Sequence, residues 1–318
     1  MRRPHYFIAQ ENFKHRVKKS LGQNFLKSEN ILRKIVEAGE VNENDIVLEI
    51  GPGKGALTEK LLEKVYSAKA GRGYIVAVEK DNQLFEFLQE KFAEEIKNKK
   101  LILINDDILD INISATILKF FSGPRIPGSL SQPDHSKNLK SLCYKIIANI
   151  PYNITGAILK KFLTDENQPS MMVLTVQHEV AQRILAKDAK ESILSISVKA
   201  YGEPKMVMKV DKRYFSPAPR VNSAVIAIKN ISRKIFTSPQ PSPYKGEGNK
   251  TTVLDKTWNS QAFEEKFWEI VKKGFAHKRK KLSGNLKKVI SDDKLTSLGL
   301  QDKRAENLTL KDWILLTK

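Results

Sequence analysis

A buried strand that runs directly into a glycine-rich turn and an amphipathic helix is the feature that most restricts how this chain can fold. The stretch DIVLEIGPGKGALTEKLLEKV begins with an apolar strand over 46–50, continues through Gly51, Gly53 and Gly55, and ends in a helical pattern. Glycines at this spacing allow a tight strand-to-helix turn whose backbone can approach a ligand closely. Such turns are typical of α/β domains that bind ligands beyond the carboxyl ends of parallel strands.

Apolar strands alternate with helical patterns along most of the chain, which predicts a largely parallel, doubly wound α/β sheet of the Rossmann-like type. Three further segments, 192–202, 205–215 and 223–229, have strand-like patterns and are expected at the far edge of the sheet. The predicted core strands are IVLEI (46–50), GYIVAVE (73–79), LILINDDIL (101–109), YKIIA (144–148) and MMVLTVQ (171–177). The predicted helices are SENILRKIVEAGE (28–40, with Ser28 as N-cap), DNQLFEFLQEKFAEEI (81–96), 155–164 and HEVAQRILA (178–186).

Stretches rich in Pro, Gly and Ser predict the domain organisation. We expect an α/β domain over 1–230, with a basic N-terminal arm at 1–20 and a flexible insertion at about 122–138. A flexible linker at 231–256 then leads to a small helical domain over 257–318. The insertion enters a strand at its amino end, so we expect it to lie away from the chemistry.

The charge of the chain predicts a nucleic-acid partner. The 318 residues carry a net charge of +19, and residues 271–288 contain eight Lys or Arg and no acid. A surface this basic repels itself unless it meets a polyanion, and the clustering favours nucleic acid over evenly solvated lysines. The helical domain is therefore predicted to bind RNA or DNA.

The remaining composition excludes several classes of protein. Cys143 is the only cysteine, so the chain has no internal disulfide and no cysteine-built zinc site, and the five histidines lack ligand spacing. We therefore assign no metal. No apolar run approaches 18 residues, and the basic N-terminus lacks the apolar core of a signal peptide. We expect a cytoplasmic protein without a membrane partner.

Three acidic or glycine positions at strand ends suggest a nucleoside-containing cofactor. Gly51 and Gly53 suit a close approach by the ligand, and Glu79, at the end of the second strand, can accept hydrogen bonds from both ribose hydroxyls. These residues fit a nicotinamide dinucleotide or S-adenosylmethionine (SAM). Asp107 can accept from an adenine amino group while Ile108 packs on the ring, which begins to favour SAM.

The seven residues NIPYNIT (149–155), which follow the fourth strand, match the needs of methyl transfer to an adenine amine. The amine lone pair is delocalised into the ring, so acceptors on both N–H groups are needed to localise it. The Asn149 side-chain oxygen and the Ile150 carbonyl can be those acceptors. Pro151 stiffens the turn, and Tyr152 offers a face on which an extruded base can stack. Positioning and electrostatics then carry the step without a strong base.

Two further candidates carry weaker signals. Phe215, in RYFSPAPRVNSAV, can stack on the opposite face of the base, although an aromatic residue at a strand end is equally often part of a core. Gln23 and Asn24 precede the first helix and can cap the amino-acid end of the cofactor; without further context they are a polar turn.

Eight motifs in the same order along the chain resemble those of the ribosomal RNA adenine N6,N6-dimethyltransferase family, of the kasugamycin-resistance type. The resemblance covers nearly the whole chain. Asn222 and His178 depart from it, since Asp and Lys are common at those positions. The motifs are GQNFL (22–26), EIGPGKGALT (49–58), VEKD (78–81), DDIL (106–109), NIPYNIT (149–155), QHEVAQRI (177–184), YFSPAPRVNSAV (214–225) and FAHKRKKLSGNL (275–286).

The resemblance implies a reaction, a cofactor and a partner. Members of the family use SAM to add two methyl groups to each of two adjacent adenosines in a hairpin loop near the 3′ end of small-subunit ribosomal RNA, during ribosome assembly. Asn149, Ile150, Pro151 and Tyr152 would hold the target amine, with Phe215 on the other face of the base. The resemblance places these residues at the SAM site: Asn24, Leu26, Gly51, Gly53, Glu79, Asp107, Ile108 and Asn149.

Other functions remain open from the sequence. A nicotinamide oxidoreductase would explain the glycine turn and Glu79, but not the NIPY segment or the charge. A non-catalytic assembly factor that binds immature small subunits could dispense with Asn149 and Tyr152, which are intact. A large-subunit rRNA adenine methyltransferase of the macrolide-resistance type and an N6-adenine DNA methyltransferase share the chemistry. We expect a monomer, because no heptad seam or spare apolar face is evident.

Overall fold

The structure is a computed structural model that describes residues 15–66, 71–113, 115–117, 143–237, 259–277 and 279–318. The chain divides into two compact units, Met1–Ala181 with Lys205–Asn230, and Gln182–Pro204 with Ile231–Lys318. The insertion at 122–138, residues 1–14 of the basic arm and the linker beyond Thr237 lie outside the described residues. The domain boundaries expected from the sequence therefore stay predictions.

A seven-stranded mixed sheet, in the order β4-β3-β2-β5-β6-β9-β7, forms the centre of the first unit. The first five of these strands are parallel, and β9 pairs antiparallel with β6. The predicted Rossmann-like α/β fold is confirmed. The strands are β1 (Phe25–Leu26), β2 (Ile46–Ile50), β3 (Tyr74–Glu79), β4 (Leu101–Asn105), β5 (Lys145–Ala148), β6 (Met171–Gln177), β7 (Glu203–Val210), β8 (Phe215–Ser216) and β9 (Ser223–Lys229).

Burial explains why the core strands were recognisable in the sequence. Every residue of β2 and of β3 is buried, as expected for parallel strands that are covered on both faces and therefore consist of continuous apolar runs. The edge strand β7 instead alternates between more and less exposed residues. The helices are α1 (Glu29–Ala38), α2 (Ala56–Val65), α3 (Asn82–Lys91), α4 (Ala93–Lys97), α5 (Thr155–Leu163), α6 (His178–Leu185), α7 (Ile193–Lys199), α8 (Lys234–Thr237), α9 (Ser260–Gly274), α10 (Leu282–Leu286), α11 (Asp292–Ser297) and α12 (Leu310–Thr317).

The strand predicted over 192–202 is wrong, because this segment contains the helix α7. Its sequence, SILSISVKAYG, alternates polar and apolar residues in the manner of a strand. Ser192 and Ser195 instead form a capping box, in which each side chain bonds to the backbone N–H of the other residue. These local hydrogen bonds satisfy the first turn of a helix and outweigh the pattern.

The helix predicted over 81–96 is interrupted at Phe92, where α3 ends and α4 begins. The Phe92 ring is fully buried and lies against the backbone of Gly55, in the glycine turn. Ser28 is the N-cap residue of α1, as predicted, but its side chain makes no capping hydrogen bond.

Helices make up the regular structure of the C-terminal part of the second unit, as its sequence pattern predicts. Trp313, on α12, is completely buried and lies so close to Gly274 that a Cβ there would meet the ring at 2.3 Å. The second unit thus has a core of its own. Within the described residues, no helix is long and apolar enough to span a membrane.

The strand order reverses between β2 and β5, and this point positions the functional site. From β2 the chain proceeds outward to β3 and β4, then returns to place β5 on the other side of β2. Val47 pairs with Lys145 and Leu48 with Ile146, so the continued register brings Gly51 level with Asn149. Ligands in open parallel sheets bind at such a switch point.

We predict that Gly55→Ala destabilises the first unit by about 2–4 kcal/mol, because two costs add. Gly55 has a φ of 79°, and an added Cβ would lie 2.5 Å from Cε2 of Phe92. Urea unfolding followed by circular dichroism measures the effect. Gly156→Ala is the matched control in α5, where a Cβ meets nothing within 4 Å, and it should be neutral or stabilising. Equal stability of the two variants would contradict the packing argument.

Candidate functional site

A cavity of about 510 Å³ lies beyond the carboxyl ends of β2, β3, β4 and β5. Its walls come from the segment before α1, from the glycine turn, from the ends of β3 and β4, and from the NIPYN segment after β5. The structure therefore brings together residues that are far apart in the sequence. Eleven predicted residues line the cavity: Asn24, Leu26, Gly51, Gly53, Glu79, Asp107, Ile108, Asn149, Ile150, Pro151 and Tyr152.

The glycine turn leaves space for a ligand at Gly51, whereas at Gly53 the corresponding space is filled by a packed side chain. Gly51 and Gly53 have φ angles of 64° and 61°, which favour glycine. A Cβ on Gly51 would meet nothing within 4 Å, whereas one on Gly53 would meet the Phe25 ring at 2.9 Å. The open side of Gly51 is thus where a ligand can contact the backbone directly.

Glu79 is held by two backbone N–H groups. Its Oε2 accepts from Gly53 at 3.0 Å, and its Oε1 accepts from Asp81 at 2.9 Å. Burial raises the pKa of Glu79, and these two hydrogen bonds oppose the rise. Each carboxylate oxygen has a second lone pair, so Glu79 can also accept from the two hydroxyls of a ribose.

Asp107 is already paired in this structure. Lys80 Nζ donates to its Oδ2 at 2.5 Å, and the backbone N–H of Leu109 donates to its Oδ1 at 2.9 Å. The hydrogen bond from Lys80 is the main reason why the pKa of Asp107 is lowered. The carboxylate therefore remains an acceptor, and an adenine amino group would share it with Lys80. Ile108, beside it, is buried.

A single hydrogen bond fixes the orientation of the Asn149 side chain. Its Nδ2 donates to the backbone carbonyl of Asn24 at 3.0 Å. Because a carbonyl accepts only from the NH2 group of an amide, the other atom of the carboxamide must be the oxygen Oδ1. This contact presents Oδ1 as the acceptor that the amine-polarising hypothesis requires.

Tyr152 begins a short 3₁₀ turn, Tyr152–Ile154, and is anchored at its hydroxyl. The hydroxyl lies 2.5 Å from Oγ of Ser223, at the start of β9, and burial raises the pKa of Tyr152. The ring is half-buried and borders both the main cavity and a smaller one of about 370 Å³. Gln177, at the end of β6, also lines this second cavity.

The structure does not bring Phe215 to either cavity. The side chain is only 2% exposed and belongs to the main hydrophobic core, where β8 pairs with β1 and Phe215 lies opposite Leu26. Stacking on a base would require the ring to leave this core. We therefore leave Phe215 out of the proposed site.

Two buried acids near the cavity were not assigned a role from the sequence. Glu49 interrupts the apolar run of β2, which is the signal that could have identified it; Thr58 Oγ1 donates to its Oε2 at 2.7 Å. Burial raises the pKa of Glu49 to about 8. Asp81 follows β3, and its partners lie about 60 residues away. Among the described residues, no group of three or more His, Cys, Asp or Glu is arranged to hold a metal ion.

Two solved structures share this Rossmann-like fold. A dimethyladenosine transferase from Plasmodium falciparum superposes with a TM-score of 0.64 at 22% identity, over 92% of this chain and 95% of that one. The 23S rRNA methyltransferase ErmE superposes with a TM-score of 0.61 at 21% identity, over 92% of this chain and 98% of that one.

Sequence comparisons then identify the family. Residues 14–241 match the model of the family described as ribosomal RNA adenine dimethylase. Two proteins named Ribosomal RNA small subunit methyltransferase A are also similar. The one from Dehalococcoides mccartyi (strain CBDB1) is 33% identical over 95% of this chain and 88% of its own length. The one from Rippkaea orientalis is 34% identical over 94% and 96%. The chain belongs to the ribosomal RNA adenine dimethylase family, which confirms the resemblance seen in the motifs.

We predict that Glu49→Gln changes how stability depends on pH. Because the pKa of Glu49 is about 8 when folded and near 4.5 when unfolded, the folded chain holds an extra proton between these values. The stability that this proton provides is complete below pH 4.5. It is lost progressively as the pH rises from there through 8. Relative to Glu49→Gln, the free energy of unfolding of the native chain should fall by about 1.4 kcal/mol per pH unit between pH 5 and 8.

Urea unfolding at pH 5.5, 6.5 and 7.5 measures this difference. Glu86→Gln, on the exposed face of α3, is the matched control and should leave the pH dependence of the native chain unchanged. If the difference in the free energy of unfolding between the native chain and Glu49→Gln does not change with pH, Glu49 is ionised when folded.

Proposed function

We propose that this protein transfers methyl groups from SAM to the N6 amines of two adjacent adenosines in the 3′-terminal hairpin loop of small-subunit rRNA, forming N6,N6-dimethyladenosines during ribosome biogenesis. The observation that carries the proposal is the orientation of Asn149, whose amide oxygen is left as an acceptor by the bond from Nδ2 to Asn24. Family membership supports the reaction, and the relatives named as small-subunit methyltransferases support the substrate.

The cavity offers space and hydrogen-bonding groups that suit SAM. The open side of Gly51 admits a ligand against the backbone, and the second lone pairs of Glu79 suit a ribose diol. Asp107 and Ile108 offer an acceptor and an apolar surface to an adenine ring. When bound, SAM supplies an electrophilic methyl group on a sulfonium that leaves as a neutral thioether.

The NIPY segment activates the target amine by geometry. Asn149 Oδ1 and the Ile150 carbonyl each accept one N–H of the amine, so the nitrogen moves toward a tetrahedral shape and its lone pair is localised. The amine proton is acidic once the nitrogen carries the methyl group and a positive charge, so water suffices to remove it. Fixed acceptors that favour the transition state over the free base are an efficient source of catalysis.

Tyr152 and the second cavity accommodate the base itself. An adenine must leave its stack before its amine can reach an enclosed site. The Tyr152 ring, held by Ser223, offers a rigid face for stacking, and Gln177 also lines the second cavity. Gly22 and Asn153 border the same space. These residues make room for a purine beside the cofactor.

The exposed basic residues of the second unit support an RNA partner. Seven described Lys and Arg side chains between 272 and 288 are exposed to solvent, where phosphate can reach them. A single-stranded loop with splayed bases is the usual target of sequence-specific RNA readers. The seven residues are Lys272, Lys273, Arg279, Lys280, Lys281, Lys287 and Lys288.

We predict that Asn149→Ala lowers kcat for methyl transfer by at least about 100-fold, because one of the two acceptors is lost. RNA affinity should change by less than about twofold, since no phosphate contact is removed. Incorporation of tritiated methyl groups into under-methylated small subunits, at saturating SAM, measures kcat. Filter binding measures RNA affinity.

Asn44→Ala is the matched control for the Asn149 experiment. Asn44 lies at the opposite, amino-terminal edge of the sheet, where its side chain accepts from Arg72 N. The Asn44→Ala variant should transfer methyl groups at the native rate. Native kcat in Asn149→Ala would contradict the polarisation mechanism. An unmodified chain that binds small subunits but transfers no methyl group would instead favour the assembly-factor alternative.

We also predict the order of substrates. Under-methylated small subunits should accept methyl groups at least about 100 times faster than duplex DNA, in which extrusion of the base costs stacking energy. Initial rates of tritium incorporation with equal adenosine concentrations measure this ratio, and fully methylated small subunits are the control. Faster transfer to large-subunit rRNA would favour the macrolide-resistance type, and faster transfer to duplex DNA would favour a DNA methyltransferase.

A further inference from the structure

Residues 15–27, which we call the N-terminal strap, contribute to the wall of the main cavity. Residues 20–27 of the strap line that cavity. Within it, Asn24 receives the hydrogen bond from Asn149, and Phe25 packs on Gly53. The strap therefore touches both the NIPY segment and the glycine turn. What holds the strap in place bears directly on the geometry of the site.

The C-terminal end of the strap is held by a short sheet. Phe25 and Leu26 form β1, which pairs antiparallel with β8. The backbone N–H of Lys27 extends this pairing by donating to the carbonyl of Tyr214 at 2.9 Å. These bonds are between backbone groups and do not depend on particular side chains.

The N-terminal end of the strap is held by one buried carboxylate, that of Asp81. Three side chains of the strap converge on it, although the Asp81 side chain has no exposed surface. Lys18 Nζ lies 2.8 Å from Oδ1, and Gln23 Nε2 lies 2.9 Å from Oδ2. The buried ring of His15 places Nε2 at 3.2 Å from Oδ2. Gln23 also accepts from the backbone N–H of Lys18 at 2.8 Å, which closes the strap on itself.

The Asp81 side chain carries a negative charge in the folded protein. Burial alone would raise the pKa of Asp81, but the hydrogen bonds from Lys18, Gln23 and His15 outweigh it and lower the pKa to about 2. The carboxylate is thus ionised at every pH at which the protein would work. Charge-assisted hydrogen bonds to a buried carboxylate are among the stronger contacts that a protein can make.

Asp81 also connects the strap to the residues that would contact the cofactor. Its backbone N–H donates to Glu79, whose other oxygen accepts from Gly53. One residue therefore binds the strap through its side chain and orients Glu79 through its backbone. Residues that support a ligand-binding group in this way control how precisely that group is held.

We propose that Asp81 is a positioning residue that holds the N-terminal strap over the cofactor part of the cavity and thereby sets the affinity for SAM. This inference rests on the proposed function, because it takes SAM as the ligand. Asp81 itself does not line the cavity. Its effect is on the position of residues 15–23. Asn24, which orients Asn149, adjoins β1 and is held by the pairing of β1 with β8, so the polarisation of the amine by Asn149 is unchanged.

Two variants weaken the contact between Asp81 and the strap, one at each partner. Asp81→Asn removes the charge, and Lys18→Met removes the cation while it keeps a chain of similar length. Lys18→Met also spares the N-cap bond from Gln83 to Asp81, so it tests the strap even if Asp81→Asn weakens α3. Lys34→Met, on the exposed face of α1, is the matched control for the loss of one positive charge.

Isothermal titration of the full chain with SAM should give a Kd about 10-fold higher for Asp81→Asn and about 3-fold higher for Lys18→Met. In methyl transfer, KM for SAM should rise by similar factors while kcat at saturating SAM stays within about twofold. The double variant should bind SAM no more weakly than Asp81→Asn does, because both changes break the same contact between Lys18 and Asp81. Amide hydrogen exchange across residues 16–24 should become faster in both single variants and unchanged in Lys34→Met.

Native Kd and native exchange in both single variants would overturn the inference, as would a double variant whose loss is the product of the two single losses. These results are distinguishable from failure of the proposed function. If the unmodified chain does not bind SAM, the proposed function is wrong. If it binds SAM and Asn149→Ala abolishes transfer while Lys18→Met and Asp81→Asn bind SAM normally, only the role of Asp81 is wrong.

Discussion

The parallel pairing of β2 with β5 is the constraint on which the site depends. It places Gly51, at the start of the glycine turn, level with Asn149, and a slip of one residue would turn Asn149 to the other face of the sheet. Two contacts at the amino end of β5 favour the observed register. Lys145 Nζ donates to the carbonyl of Glu40 at 2.7 Å and to Asp45 at 2.8 Å. Close packing adds to this, since a Cβ on Gly39 would lie 2.3 Å from Ile147. Residues far from the cavity thus determine which groups meet inside it.

Three buried carboxyl groups around the cavity coexist because each has a different environment. Glu49 has mainly a neutral hydroxyl as partner, and burial raises its pKa to about 8, so it is protonated at neutral pH. Glu79 is stabilised by backbone N–H groups, whereas Asp81 is paired with a cation of the strap. The acids therefore concentrate where a cationic cofactor would bind, although the chain as a whole carries a charge of +19. This separation suits the proposed function, in which the protein would hold a sulfonium and a polyanion at the same time.

The sequence predicts the parts of this structure that depend on short-range patterns. The strands 46–50 and 171–177 have the predicted bounds, because continuous apolar runs of this length are buried on both faces. Most of the cavity-lining residues were identifiable because they lie at strand ends or directly after them, whereas Asn24 and Leu26 precede the first helix and were indicated by the family resemblance. The pattern fails where a local hydrogen bond competes with it, as at Ser192 and Ser195, or where a side chain has two plausible environments. Phe215 is such a case, because the pairing of β8 with β1 is decided by residues that are about 190 positions apart.

Lys18 shows most clearly what composition does not determine. In the sequence it belongs to a basic arm, and its charge contributes to the case for a nucleic-acid partner. In the structure that charge is paired with Asp81, 63 residues away, and it serves the interior of the protein. A buried carboxylate requires a partner, and no count of lysines reveals which one provides it. The exposed lysines and arginine between 272 and 288 are therefore the better candidates for phosphate contacts. Under the two proposals, Lys18 would help to shape the cofactor site, whereas the exposed basic residues between 272 and 288 would attract the RNA.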